Sequence, residues 1–300
     1  MSVPAARLAA QAKVNLALRV GPRRPDGYHE LATIFARIDL ADDVVVRTLR
    51  SGIMVRVMRN GVPDESVGPP ERNLAFLAAR AYMHEAQWPA GCAIDVEKRI
   101  PVGGGLGGGS ADAGTVLRAL DTLSPRPLGA GRLARIATTL GADIPFLTLA
   151  APMALGTGRG DAVEALPPLP PRWLVLVLPP FPISTADAYA WLDDARGSGG
   201  NAGVVDSVPL RLGSRDWDAL AAVATNDFQP VVAARFPIID SHCAVLQHAG
   251  AQLALMSGSG SAVFGVFGGE PDVGEIARAC NAPTLLTRVP ARVVGPLGSE

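Results

Sequence analysis

The chain has 300 residues, 48% of them hydrophobic and 18% charged, which suits one large or two modest folded domains and excludes a disordered chain. A formal net charge of −1 provides no overall field to hold the chain on nucleic acid or an acidic membrane surface. Three scattered cysteines, Cys92, Cys243 and Cys280, form neither a disulfide framework nor a zinc motif, and read as packed thiols of a reducing compartment.

Residues 1–13 lack the apolar run of a signal peptide. The longest apolar stretch, Ile144 to Leu155, is about half a membrane span and contains two prolines, so a cytoplasmic protein is expected. Of 27 basic residues only Lys13 and Lys98 are lysines. Either a compact ammonium is needed at those places, or two lysines survive a biased composition.

From Lys13 to Val20 the pattern alternates, predicting a strand with Lys13 and Asn15 on one face and Val14, Leu16, Leu18 and Val20 on the other. Gly21 to His29 is a Pro/Gly-broken loop, and strands follow over 32–38, 43–48 and 53–58. Asn73 is placed to cap a helix over 74–85. A strand over 92–100 runs into a loop, 101–109, in which six of the seven positions from Gly103 to Gly109 are glycine. Ser110 is then expected to cap a helix reaching Leu123, with Asp112 at its positive end.

Bare glycine amides can adopt positive φ and approach an anion closely, and a following helix start adds its dipole. Strand, glycine loop and helix together predict a phosphate cradle. No Walker A lysine follows it. Gly103, Gly105 and Gly108 do fit G-x-G-x-x-G, but that fingerprint belongs at the end of the first strand of a parallel unit. Here several strands of antiparallel type come first.

A helix over 128–140 leads to the turn Gly141-Ala-Asp-Ile-Pro145, where Pro145 is expected to stop helix continuation. Asp143 beside Ile144, Pro145 and Phe146 is suited to accept or orient a hydroxyl proton, or merely stabilises its own turn. Lys13 with Asn15 would supply positive charge and a donor near a transferring phosphoryl. The Pro167–Pro171 stretch marks a boundary between residues 1–166 and 167–300. Beyond it a buried-type strand over 173–178, a helix over 185–194, a flexible 197–203 loop, helical patterns through 216–250, strands over 253–256 and 262–267, a helix over 273–280 and a strand over 284–289 complete an α+β chain.

In order, Ala12-Lys-Val-Asn-Leu16, Pro25-Asp-Gly-Tyr-His29, Pro101 to Asp112, Gly141 to Phe146 and Ser257-Gly-Ser-Gly260 resemble the motifs of the GHMP kinase superfamily. The resemblance covers about residues 10–268, and the Asp-Gly-Tyr-His segment narrows it to the branch that phosphorylates a cytidine-diphosphate-linked alcohol. It implies a two-domain fold of mixed or antiparallel sheets with helices, the active site lying in the cleft between domains. Lys13 and Asp143 match the family's active-site lysine and aspartate. Pro101, Val102, Gly103, Gly104, Gly105, Leu106, Gly107, Gly108, Gly109, Ser110 and Ala111 match its ATP phosphate loop. No acidic residue is evidently dedicated to Mg²⁺, so the metal is expected to be held mainly by phosphates, Ser110 and water.

Asn15 falls at a substrate contact, Tyr28 and His29 where the branch recognises cytosine, and Tyr189, one turn after Thr185, near a second aromatic for the base. Gly258 and Gly260 fall in the C-terminal glycine motif. The residues around Arg7 and Gly197–Gly203 match nothing in the family. The implied partner is a small-molecule substrate, with no nucleic acid, membrane or obligate protein partner. A GHMP kinase for mevalonate or homoserine, a dinucleotide-binding oxidoreductase and a non-catalytic nucleotide binder are the alternatives.

Overall fold

The computed structural model describes residues 4–64, 68–88, 90–197 and 216–294. The N-terminal half begins with β1 (Ala5–Arg23), β2 (His29–Leu49), β3 (Ile53–Arg59) and β4 (Val62–Pro63). It continues with α1 (Leu74–Ala86), β5 (Gly91–Glu97), α2 (Gly108–Leu123), α3 (Ala130–Leu140), α4 (Ile144–Thr148), β6 (Met153–Thr157) and β7 (Ala162–Ala165). Then come β8 (Arg172–Val177), α5 (Thr185–Arg196), α6 (Trp217–Val223), α7 (Gln229–Ala233), α8 (Ile238–His248), β9 (Leu253–Met256), β10 (Val263–Phe267), α9 (Val273–Cys280) and β11 (Thr284–Val289). Part of the 197–203 loop expected from the sequence, residues 198–203, lies outside the described residues.

The first sheet runs β4-β3-β5-β2-β6-β7, with β1 also paired to β2, and the second runs β11-β8-β10-β9. The pairings between these described strands are antiparallel except β3 with β5, which α1 connects, so the architecture is the expected α+β one with a mixed sheet. The three cysteines are unpaired and buried. Among the described residues no helix is long and apolar enough to cross a membrane.

The second sheet is apolar on both sides because each face meets a different core. Leu174 and Leu176 of β8 join the core of the first sheet, whereas Val175 and Val177 pack with α5, α7, α8 and α9. That is why residues 173–178 read as one continuous apolar run instead of an alternating one.

The expected short strand over 13–20 is part of the much longer β1, and its alternation is interrupted. Register shifts fall between Gln11 and Lys13 and between Asn15 and Ala17, so the strand bulges on either side of Lys13 and Asn15. Val14 and Leu16 consequently enter the first core and Leu18 and Val20 the second, rather than sharing one face of one sheet. β1 thereby ties the two halves together, and Leu18 N–H donates to Thr225 O at 2.7 Å.

Two local expectations are corrected. Ser110 is not the cap of α2: Gly107, at φ 72°, holds that position, leaving Ser110 inside the first turn. Asp112 lies deeper, facing the interior instead of the helix terminus. Pro145 does not stop a helix but stands in the first turn of the short α4, where its missing N–H is harmless.

Candidate active site

The glycine loop is fastened from both halves of the chain. Gly103, Gly105 and Gly107 all have positive φ. Leu106 O accepts from Lys13 N–H at 3.0 Å, Gly104 O accepts from Ala262 N–H at 3.3 Å, and Gly105 O accepts from Ser257 Oγ at 3.2 Å. A β-carbon on Gly260 would stand 2.3 Å from Gly105 N, so the C-terminal glycine motif and the loop interlock backbone to backbone. Buried Asn226 steadies that motif, donating Nδ2 to Met256 O and Gly258 O at 2.7 Å each.

Under the start of α2 lies a buried ionic cluster that the sequence did not announce. Lys98 Nζ pairs with Asp112 Oδ2 at 2.7 Å and with Asp42 Oδ2. The other Asp42 oxygen accepts the N–H of Ile100 at 2.8 Å. Burial pushes the Asp112 carboxyl up to about 7 against the pull of Lys98, and the nearby Asp42 charge adds to the rise. Burial alone would lower Lys98, yet the two carboxylates outweigh it and raise it. Both lysines of this arginine-rich chain are thus buried beside carboxylates.

The bulged stretch of β1 delivers Lys13 and Asn15 to the same point. Lys13 Nζ donates to Asn15 Oδ1 at 2.7 Å and lies 3.3 Å from Asp143 Oδ2. Asn15 Nδ2 donates to Thr33 Oγ1 at 2.8 Å, and that hydroxyl donates to Ala17 O, which fixes the amide so that its oxygen meets the ammonium. Below, Lys13 sits 5.7 Å from the centre of the Phe35 ring, itself stacked on Phe146 at 4.9 Å.

Asp143 stands at the head of α4, and Arg37 holds the other end. Its Nη2 donates to Phe146 O, Leu147 O and Leu149 O, and Nε donates to Ala151 O. Burial, aided by Arg118, lowers the Arg37 guanidinium to about 9, so it stays charged at neutral pH. Gly114 of α2 lets the two helices close up, since a β-carbon there would meet Leu147 C at 2.6 Å.

At the other end lies an aromatic subsite. His29 is buried and stacks on Tyr189 with ring centres 5.0 Å apart, while Tyr189 meets Phe228 edge-on at 4.8 Å. Burial, with Asp143 and Asp193, pushes the Tyr189 phenol up to about 12, so it stays neutral. His29 Nδ1 faces Gly21 O at 3.1 Å and Nε2 faces Asp193 Oδ1 at 3.3 Å. Tyr28 is exposed, with the Arg159 guanidinium 5.1 Å from its ring centre. Arg159 is held in turn by Asp161 at 2.7 Å.

One cavity of about 960 Å³ joins these parts and is lined by Lys13, Asn15, Tyr28, His29, Ser110, Asp143, Thr185 and Tyr189. Thr185 Oγ1 lies 2.9 Å from Ser259 Oγ at its rim. Of the glycine-loop residues only Ser110 lines this cavity; Gly104 and Leu106 are buried and Ala111 packs into the core. Thr33, Arg159 and Asp193 also line it and carry no motif that a sequence reading would pick out.

Family models for the GHMP kinases N terminal domain and the GHMP kinases C terminal match residues 73–150 and 210–283. A 4-diphosphocytidyl-2-C-methyl-D-erythritol kinase of Geobacter sp. (strain M21) is 43% identical over 268 residues, covering 88% of this chain and 90% of its own. One from Moorella thermoacetica is 40% identical over 260 residues, covering 86% and 89%. The crystal structure of a 4-(cytidine 5'-diphospho)-2C-methyl-D-erythritol kinase superposes with a TM-score of 0.75 at 35% identity, covering 94% of this chain and 98% of that one. A homoserine kinase from Cytophaga hutchinsonii superposes at 0.73 with 17% identity, covering 99% and 98%, a likeness of fold alone.

Proposed function

The chain belongs to the GHMP kinases, in the family of 4-diphosphocytidyl-2-C-methyl-D-erythritol kinases, and we propose that it transfers the γ-phosphoryl of ATP to the 2-hydroxyl of that cytidyl alcohol. The reaction is a step of non-mevalonate isoprenoid synthesis. The observation that carries this reading is one cavity with the Lys13–Asp143 pair at one end and the Tyr28, His29 and Tyr189 subsite at the other. Mevalonate and homoserine have no base to occupy the second end.

The substrate's base stacks at Tyr28 and Tyr189 beside His29, which leaves the reacting hydroxyl at Asp143. Asp143 accepts or orients the hydroxyl proton, and Asn15 keeps the Lys13 ammonium aimed at the same point. Because phosphoryl transfer has a loose transition state, placement and charge matter more than the strength of the base. Residues 101–111 cradle the triphosphate with backbone amides and the dipole of α2, a role supported by positive φ at Gly103, Gly105 and Gly107 and by the tight seating of Gly105. The donor set suits magnesium held chiefly by phosphate oxygens, water and the Ser110 hydroxyl at the cavity wall. ATP bound there would supply the phosphoryl group, and magnesium held beside Ser110 would offset the negative charge of the phosphates.

The division at 166/167 is supported by the two sheets, since β1–β7 precede it and β8–β11 follow it. A cytoplasmic location agrees with the unpaired thiols of Cys92, Cys243 and Cys280. The deciding experiment compares ATP consumption with 4-diphosphocytidyl-2-C-methyl-D-erythritol, mevalonate and homoserine, with Asp143→Ala as control. Turnover of the cytidyl substrate alone, abolished in the control, is expected. Turnover of another alcohol alone would overturn the assignment of Tyr28, His29 and Tyr189.

A further inference from the structure

A glycine loop binds tightly only if it is already shaped when its ligand arrives, because glycines lose more freedom on ordering than any other residues. The crest of this loop is fastened by Lys13 N–H and by Ser257 and Ala262 of the C-terminal half. Its base is closed differently. The chain leaves β5, makes the loop and returns as α2, and its two ends press together: a β-carbon on Gly108 would stand 3.1 Å from Ile100 Cγ2.

One buried side chain joins those ends. On the entering side, Asp42 Oδ1 accepts the N–H groups of both Arg99 and Ile100. On the leaving side, Asp112 belongs to α2. Lys98 Nζ donates to Asp42 Oδ2 and, at 2.7 Å, to Asp112 Oδ2, so the ammonium links the entry of the loop to its exit. All three side chains are buried, and a β-carbon on Gly108 would come within 3.4 Å of Nζ. The ammonium therefore lies directly beneath the first turn of α2.

The same placement governs the local charge. Two carboxylates buried beneath an anion site repel the anion, and burial leaves that repulsion poorly screened. Among the described residues no cation other than Lys98 pairs with Asp42 or Asp112. Lys98 does not line the cavity, so any effect on a bound nucleotide passes through the loop.

Resting on the reading that residues 101–111 cradle ATP, we propose that Lys98 is a positioning residue of this kinase: its ammonium clamps the entry and exit of the glycine loop and offsets the carboxylates beneath it, so the loop is preformed for the triphosphate. The cytidyl alcohol, bound at the far end of the cavity, gains nothing from the clamp.

The test titrates ATP and the cytidyl alcohol separately into the wild type, Lys98→Met and the double variant Lys98→Met with Asp112→Asn, with steady-state kinetics alongside. Lys98→Met should weaken ATP binding and raise the ATP KM about tenfold or more, leaving affinity for the cytidyl alcohol within about twofold. The double variant returns the buried charge to its wild-type sum with the clamp still open, so its ATP affinity should lie between the two. It carries the test where the single variant fails to fold. Equal weakening of both ligands would mark a merely structural role and overturn the proposal.

A measurement on the wild type stands apart from the variants. The Arg99 and Ile100 amides, held by Asp42, should be protected from hydrogen exchange before any nucleotide is added. Unprotected exchange there would show an open clamp and overturn the proposal. A wild type that binds ATP, beside a folded Lys98→Met of unchanged ATP affinity, would overturn this inference alone. A wild type that does not bind ATP would overturn the nucleotide reading of the loop and this inference with it.

Discussion

Gly105 and Ser257 meet across the seam between the two halves of the chain: a β-carbon on Gly105 would stand 2.1 Å from the Ser257 carbonyl oxygen. Gly105 also has φ 77°, so neither space nor backbone tolerates a side chain there. Gly105→Ala should lower stability by about 2 kcal/mol or more and weaken ATP binding. Thermal melts and ATP titration check this, with Gly269→Ala as the control, since nothing lies within 4 Å of that site. The control should stay within roughly 0.5 kcal/mol of wild type.

Asp143 is paired with Lys13 but its side chain is 31% exposed, so removing its charge should cost activity more than fold. Asp143→Asn should reduce kcat about 100-fold or more while the melting curve changes little. Retained kcat would show that orientation by the neighbouring groups suffices.

Tyr189 combines a stack on His29 with an edge contact to Phe228. Tyr189→Ala should raise KM for the cytidine substrate by about 5- to 150-fold, corresponding to roughly 1–3 kcal/mol of lost stacking. ATP KM should be untouched, which steady-state kinetics with each substrate varied in turn will reveal.

Asp112 carries a folded-state carboxyl pKa of about 7, above its ordinary value of 3.8, because it is buried and lies near the charged Asp42. A carboxyl raised on folding holds its proton in the native state while the unfolded chain has released it. Its contribution is therefore complete below pH 3.8 and is lost as pH climbs to about 7. Asp112→Asn should remove that decline, an effect bounded near 4 kcal/mol at about 1.4 kcal/mol per pH unit. Denaturation curves of both proteins from pH 4 to 8 measure the difference.

Arg37 is fully buried, and its guanidinium serves four carbonyl groups around α4. Arg37→Met takes a charged donor from each of those oxygens and should destabilise the protein by about 3 kcal/mol or more. Because Asp143 immediately precedes α4, kcat should fall as well, under conditions where the variant remains folded.

The glycine loop, the Lys13–Asn15 pair and the Asp143 turn were legible in the sequence because each is local: bare amides, a period-two strand and a proline beside an acid show themselves within a few residues. The aromatic subsite was legible through the ordered motifs. Local reasoning failed where two segments compete for one role. Ser110 has the chemistry of a cap, but Gly107 reaches the left-handed conformation first and α2 begins earlier. Asp112 suits a helix start, yet Lys98 draws it inward.

The sequence by itself determined the family and the α+β class, since these rest on motifs and on the periodicity of apolar positions. Only the tertiary structure decided the rest. The bulges around Lys13 and Asn15 arise from pairing with β2, the interlock of Gly105 with Ser257 from contact between distant segments, and the facing of Asp193 and His29 from the approach of α5 to the start of β2. Each is a contact between segments far apart in the chain, and neither composition nor short-range pattern records which distant residue will fill the space opposite.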